Sequence, residues 1–393
     1  MDATVDSVDC RLTSSSAQIE TLPMDILLRI GEWSYVEDLT QLAMSSKFFS
    51  SIRTKLFAKR KTLNITDGTD LDELSNFLKD KIQSVNVLKE NLNLTSLTMF
   101  KSLQHLQFVR SGIADISPLE SLINLKQLNL DWNDLVDISP LAPLIKLDHL
   151  TLGWNQIVDI SSLTSLVSLE KLDLCRNGVV DVSPLSSSMT LKQLQLGQNQ
   201  IVDVYSLAPL INLEELYLMS NQIVDVSPLA SLVKLTILDL NCNQLVDVFP
   251  LGRLIHLEEL FLDSNQIVDI SPLAPLTKLE LLDLRCNQVV DISSLASLIN
   301  LKELDLLTNR IANISPLASL VNLKNLNIQS NAIVDISSLA SLFKLEELYL
   351  GANQIIDVSP LASLIGLQEL DLHSNRIVDV SPLANFDESI YRI

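Results

Sequence analysis

The stretch LEELFLDSNQIVDISPLAPLTK, running from Leu257 to Lys278, decides the fold because the chain repeats it. Its template, L-x-x-L-x-L-x-x-N-x-I-V-D-I-S-P-L-A-x-L-x-x, returns every 22 residues in thirteen gapless copies from Leu103 to Glu388. The leucines at positions four and six alternate, which puts both on one face of a short strand. Strands of successive copies must then lie side by side and parallel, about 4.8 Å apart. No copy can bury its own leucines, so stability comes from stacking on neighbours, and both ends need covers.

Two polar columns run beside the leucines. Asn occupies the ninth position in twelve of thirteen copies, from Asn133 to Asn375, with Ser111 the exception. A side-chain amide donates and accepts at once, so this column predicts an asparagine ladder that satisfies backbone groups where each coil leaves the sheet. Asp occupies the thirteenth position in twelve copies, from Asp115 to Asp379, and Asn313 is the one replacement. Both side chains accept from backbone N–H groups two or three residues on. Proline follows at the sixteenth position in nine copies, as in Ser139-Pro140 and Ser271-Pro272. Because proline suits the first turn of a helix, the far side of each coil should carry a short 3₁₀ or single-turn helix. The Asp column then reads as a set of caps, in preference to a catalytic or metal-binding array.

The template resembles leucine-rich repeats of the 22-residue, internalin-like subtype, and the resemblance covers about three-quarters of the chain. It implies an α/β solenoid, a horseshoe or arc with a parallel concave sheet and short 3₁₀ helices on the convex side. Outside the thirteen copies, Leu63 and Ile65, then Ile82, Val85 and Val87, read as degenerate strands. The segment from Thr69 to Lys81 between them reads as an amphipathic helix, which makes 62–102 an N-terminal cap. Residues 389–393 read as a short C-terminal tail and 1–19 as a disordered one.

Composition narrows the chemistry. Apolar residues are 47% of the 393 and aromatics only 5%, so the core is aliphatic. The nine glycines form neither G-x-G-x-x-G nor G-x-x-x-x-G-K, which excludes nucleotide enzymes of those classes. A net charge of −20 has the wrong sign for nucleic acid, although twelve of the 48 acidic residues sit in the capping column. Cys10, Cys175, Cys242 and Cys286 are scattered, with no C-x-x-C pair, which fits a reducing compartment. The first twenty residues hold no apolar core of a signal peptide, and no apolar run reaches about 18 residues. The expectation is a soluble intracellular protein, with no cofactor, no metal and no membrane or nucleic-acid partner.

Residues 20–61 do not repeat. They divide into three stretches of helical spacing: Pro23 to Trp33, Val36 to Ser45 and Ser46 to Lys59. The sequence LPMDILLRIGEWSYVEDLTQLAMSSKFFSSI resembles an F-box, through Leu22-Pro23, Asp25, Ile26-Leu27, Ile30, Asp38-Leu39, Leu42-Ala43 and Ser46-Lys47 before Phe48-Phe49. The resemblance implies docking on the Skp-type linker of a cullin–RING ubiquitin ligase through Leu22, Pro23, Ile26, Leu27, Ile30, Leu39, Leu42 and Ala43, with the repeats taking the substrate. Gly31-Glu32-Trp33 departs from the family's isoleucine-rich helix end, and Leu56-Phe57 stands where a tryptophan is usual. The alternative is a plain helical cap on a free-standing repeat scaffold. Lys59-Arg60-Lys61 reads either as a solvated helix end or as a nuclear signal.

Positions three, five, seven and eight face the concave side and vary from copy to copy, so a partner is read there. Columns three and five bring together Glu215, Tyr217, Asp239, Glu259, Phe261, Asp283, Glu303 and Asp305, an acidic strip with aromatics set into it. This arrangement favours a basic protein segment, and the alternative is a solvated face. Trp132 and Trp154, at position eight of adjacent copies, are either an interface anchor or a pair packed on each other. His105, His149, His256 and His373 are isolated, and the concave carboxylates are expected to lie open to water with ordinary pKa values. No catalytic site is predicted.

Overall fold

The computed structural model describes residues 62–65, 83–87, 94–384, 386–387 and 389–392. The helical unit expected at 20–61, with all its linker-contacting residues, and the helix expected over 69–81 lie outside them. Among the described residues, sixteen parallel strands form one sheet in strict sequence order. Neighbouring coils pair in the register of the repeat, Leu260 opposite Leu282 and Phe261 opposite Asp283. The two degenerate strands are present as Thr62–Ile65 and Ser84–Val87. The second of them pairs with His105–Phe108.

The other end differs from the expected tail. Tyr391–Arg392 forms a sixteenth strand, with Tyr391 opposite Leu370 and Arg392 opposite Asp371. The offset there is one residue short of the repeat. A turn in which Ile390 N–H donates to Asp387 O (3.0 Å) returns the chain to the sheet. Phe386 and Tyr391 pack partly buried on the core and hold it there.

The core is one continuous column of side chains, aliphatic except for Phe100 and Phe108 near its N-terminal end. In the coil that starts at Leu257, residues Leu257, Leu260, Leu262, Ile267, Ile270, Leu273 and Leu276 are all fully buried. One position breaks the rule: Ser188 takes the place of the leucine at position twenty. It is fully buried and its hydroxyl has no hydrogen-bond partner.

Both polar columns do what their chemistry dictates. The Asn243 amide donates to Leu218 O (3.1 Å), Leu240 O (3.0 Å) and Asn241 O (3.2 Å). Its Oδ1 accepts from Ile223 N–H at 3.0 Å. Each ladder residue therefore ties its own turn to the coil before it. On the convex side, Asp137 Oδ1 accepts from Ser139 N–H at 2.8 Å, and Asn313 takes the same role toward Ser315 at 3.0 Å. The short 3₁₀ helices follow directly, for example Ser139–Leu141 and Ser227–Ser231. Donation from the backbone N–H groups of Ser117 and Ser161 holds the Asp115 and Asp159 carboxyls below the ordinary range.

Sequence gave no warning of one backbone feature. The residue at position eight, just before the ladder asparagine, is left-handed in all thirteen copies, from Arg110 (φ 54°) to Ser374 (φ 55°). None of the thirteen is glycine. The twist lets its N–H reach the next coil, as Ser220 N does to Asn241 O (2.8 Å), while the chain turns away from the sheet. Among the described residues, no helix is long and apolar enough to cross a membrane.

Candidate functional site

The short strands place columns three and five on the open face, so the predicted acidic strip exists as one surface. Its members are not equivalent. Glu215, Tyr217, Glu259 and Phe261 are half-buried, and Glu303 is exposed. Tyr217 Oη donates to Glu215 Oε2 at 3.1 Å, and Gln193 Nε2 donates to the same oxygen at 2.9 Å. Burial first, and the Glu215 charge second, push the Tyr217 phenol up to about 12.

Asp239 and Asp283 correct the expectation of water-exposed carboxylates, since they are 8% and 6% exposed. Strands about 4.8 Å apart carry flanking side chains that close over a short aspartate. Asp239 Oδ1 accepts from Asn241 N–H (2.9 Å), and burial raises its pKa despite that bond. Burial, with Asp283 beside it, raises Asp305 to about 6. Burial and the Asp173 charge raise Asp131, on the N-terminal coils, to about 6.

A cation sits among these carboxylates that columns three and five could not reveal. Arg285, in column seven, donates from Nε to Asp283 Oδ1 (3.0 Å) and from Nη2 to Asp283 Oδ2 (2.7 Å). Asp305 Oδ2 lies 3.8 Å from its Nε and Asp263 Oδ2 4.0 Å from its Nη2. The strip is thus partly neutralised from within. Reading column seven beside column five would have found the pairing. Around it lies a shallow depression of about 280 Å³, lined among others by Phe261, Asp283, Arg285, Glu303, Asp305 and Tyr349. Aromatic edges, glutamates and one bound guanidinium line it.

On the rim, Trp132 and Trp154 pack on each other, with ring centroids 3.6 Å apart and planes 13° from parallel. Arg110 covers the outer face of Trp132 at 4.4 Å, and Arg176 covers that of Trp154 at 3.6 Å. Four successive coils thus build a ladder of arginine, two indoles and arginine, whose edge faces solvent.

The histidines are less isolated than the sequence implied. His149 Nδ1 lies 2.6 Å from Asp148 Oδ1, and His373 Nδ1 lies 2.6 Å from Asp371 Oδ1. Neither pair sits beside a serine or cysteine nucleophile motif in the sequence. Among the described residues, no three His, Cys, Asp or Glu side chains form a group that could hold a metal.

The family described as Leucine Rich repeats (2 copies) matches residues 211–253, 255–297, 277–319 and 344–385. The crystal structure of an internalin, inlF, from Listeria monocytogenes is 37% identical, with a TM-score of 0.72, over 76% of this chain and 87% of that one. The chain belongs to the leucine-rich-repeat proteins. Its solenoid also superimposes on a leucine-rich-repeat protein of Leptospira interrogans, with a TM-score of 0.76 at 24% identity, over 91% of this chain and 94% of the other. A plant peptide hormone receptor, RGFR1, solved in complex with RGF2, shares the fold at 19% identity and a TM-score of 0.69. The match covers 82% of this chain and 56% of the receptor chain. No curated protein matches the chain in sequence. As a leucine-rich-repeat protein with internalin-like neighbours, it is a protein-interaction scaffold.

Proposed function

We propose that the chain is the substrate receptor of a cullin–RING ubiquitin ligase, with residues 20–61 docking a Skp-type linker and the concave sheet holding a protein substrate. The observation that carries this reading is the F-box-like run from Leu22 to Ile52, set immediately before a protein-binding solenoid. The binding face works without catalysis, and it belongs in an intracellular setting that matches the unpaired cysteines. Leu27→Lys together with Leu42→Lys places two charges on the apolar faces that would meet the linker. This double variant should lose co-purification with a Skp-type linker while the repeats keep their melting temperature. Retained co-purification sinks the receptor reading.

The substrate segment is basic and is held from Tyr217 to Asp305. Glu259, Phe261 and Glu303 are accessible enough to meet it, whereas Asp239 and Asp283 serve the sheet. Glu259→Lys with Glu303→Lys should abolish capture without lowering the melting temperature, and capture by the wild type should weaken as salt rises. Binding that strengthens with salt would overturn the assignment. A second reading, a free-standing scaffold that only binds, is favoured by the 37% identity to the Listeria internalin across the repeats. The linker experiment separates the two.

A further inference from the structure

Thirteen copies in one register allow one coil to serve as a control for another. The environment of Arg285 is built from Asp263 at position seven of the preceding coil, Asp283 at position five of its own coil and Asp305 at position five of the next. Six coils earlier, the same three places and the centre hold Asp131, Thr151, Asp173 and Gly153. An aspartate at position seven followed two coils later by one at position five occurs only at these two places in the thirteen copies. In one of them the chain supplies its own guanidinium; in the other the centre is a glycine.

We propose that the notch above Gly153 is a receptor for an arginine side chain of a protein partner, held between Asp131 and Asp173 at the places Asp263 and Asp305 take around Arg285, with Thr151 standing where Asp283 makes the close pair. A β-carbon built on Gly153 would stand 3.4 Å from Asp131 Oδ1 and 3.4 Å from Asp173 Oδ1, so the two carboxylates flank the space a side chain would fill. Each Oδ1 is already fixed by a backbone donor, Gly153 N–H for Asp131 and Cys175 N–H for Asp173, both at 2.7 Å. In the filled site it is the other carboxylate oxygens, the Oδ2 atoms of Asp263 and Asp305, that lie 4.0 Å and 3.8 Å from the guanidinium. Neither Asp131 nor Asp173 forms an ion pair among the described residues. Arg110 and Arg176 stack on the indoles and leave these carboxylates uncompensated. The Thr151 hydroxyl, on the strand between the two, is buried without a well-formed hydrogen bond and lies beside the Asp131 carboxylate.

The rim supports the same occupant. Trp132 N–H donates to Gly153 O (2.9 Å), so the indole pair stands directly beside the notch. With its outer faces taken by arginines, the pair offers its edge to the methylene stem of a long side chain. A planar fork of donors matches two carboxylates on opposite sides better than an ammonium does. The inference rests on the reading of the concave face as a protein-binding face.

The chain contains only nine glycines, so ¹⁵N-glycine labelling of the full protein yields a spectrum in which Gly153 is assignable by its loss in Gly153→Ala. The probe is the acetylated, amidated tripeptide Gly-Arg-Gly, compared with its citrulline counterpart and with free arginine. The arginine tripeptide should shift the Gly153 signal and the citrulline tripeptide should not. Asp131→Asn with Asp173→Asn keeps the backbone-accepting oxygens and should weaken the arginine tripeptide at least about tenfold. Gly153→Arg should abolish the shift of its neighbours' signals and raise the melting temperature, because it places a guanidinium between two carboxylates that have no ion pair. The proposal falls if the tripeptide leaves Gly153 unmoved, if the double asparagine variant binds it as well as the wild type, or if Gly153→Arg lowers the melting temperature. Free arginine binding as tightly as the tripeptide would overturn the assignment to a protein partner. The Glu259→Lys, Glu303→Lys variant should keep the tripeptide shift, so failure of the notch and failure of the acidic strip are read separately.

Discussion

Replacing Ser188 by leucine should stabilise the protein by about 2–3 kcal/mol. Ser188 stands at position twenty, where Leu166 and Leu210 occupy the adjacent coils, and all three are fully buried. Its backbone (φ −84°, ψ 55°) matches that of Leu166 (φ −88°, ψ 59°), so a leucine enters without a change of conformation. The new side chain adds three buried carbons, worth about 0.8 kcal/mol each. It also removes a hydroxyl that has no partner, a group whose burial costs about 1–3 kcal/mol. Against these stands an overpacking cost of about 1–3 kcal/mol wherever neighbours have closed into the space. Urea unfolding should show a higher midpoint at an unchanged slope, the signature of altered stability rather than altered compactness. Ser188→Ala isolates the hydroxyl and should recover about 1 kcal/mol. A leucine variant less stable than wild type, beside an alanine variant that gains nothing, would refute both the cost of the orphan hydroxyl and the gain from a leucine at this place.

Asn243→Ala strands Ile223 N–H and takes one of two donors from each of Leu218 O, Leu240 O and Asn241 O, so it should cost about 1–3 kcal/mol in thermal or urea melts, whereas Ser220→Ala on the rim should stay within about 0.5 kcal/mol. Thr308 is β-branched at φ 57°, so Thr308→Gly should raise the melting temperature despite the entropy that glycine gives up; a fall would mean that the left-handed turn carries no strain. Burial raises Asp131 to about 6 in the fold, above its unfolded value, so its contribution is greatest in acid and is lost as pH rises through 6. Asp131→Asn should therefore flatten the decline in melting temperature between about pH 4 and 7, and an unchanged slope would show that Asp131 titrates normally.

The solenoid was legible because it is written thirteen times. Any residue that recurs in register, such as Asn243 or Asp269, declares a structural duty by repetition alone. What stayed hidden was carried by columns that vary. Position eight holds Trp154, Cys242, Thr308 and Ala352 among others, with no glycine or asparagine to betray a positive φ. Arg285 went unseen because it stands in column seven, whereas its closest partner, Asp283, stands in column five of the same strand, and Asp263 and Asp305 belong to the coils on either side. The burial of Asp239 and Asp283 depends on neighbouring strands, which a list of one column cannot weigh. Tyr391–Arg392 escaped because a strand one residue out of step matches no template, although Phe386 and Tyr391 are apolar signals in and beside the segment read as a tail.

Every ladder asparagine reaches back and none reaches forward: Asn243 serves Ile223 and Leu218, Asn265 serves Leu245 and Leu240. The joints between coils are consequently interchangeable. Excising one whole repeat from a gene would splice like to like, with the donor of one coil meeting the amide of a coil two places on at the same distances. Excising one residue more or fewer would throw leucines outward. The inheritable unit is therefore the coil, and the array can lengthen or shorten by recombination without any change in the chemistry of its seams. Such events would alter only the distance between the acidic depression and the tryptophan rim, so the length of the array acts as a ruler that sets which partners can touch both.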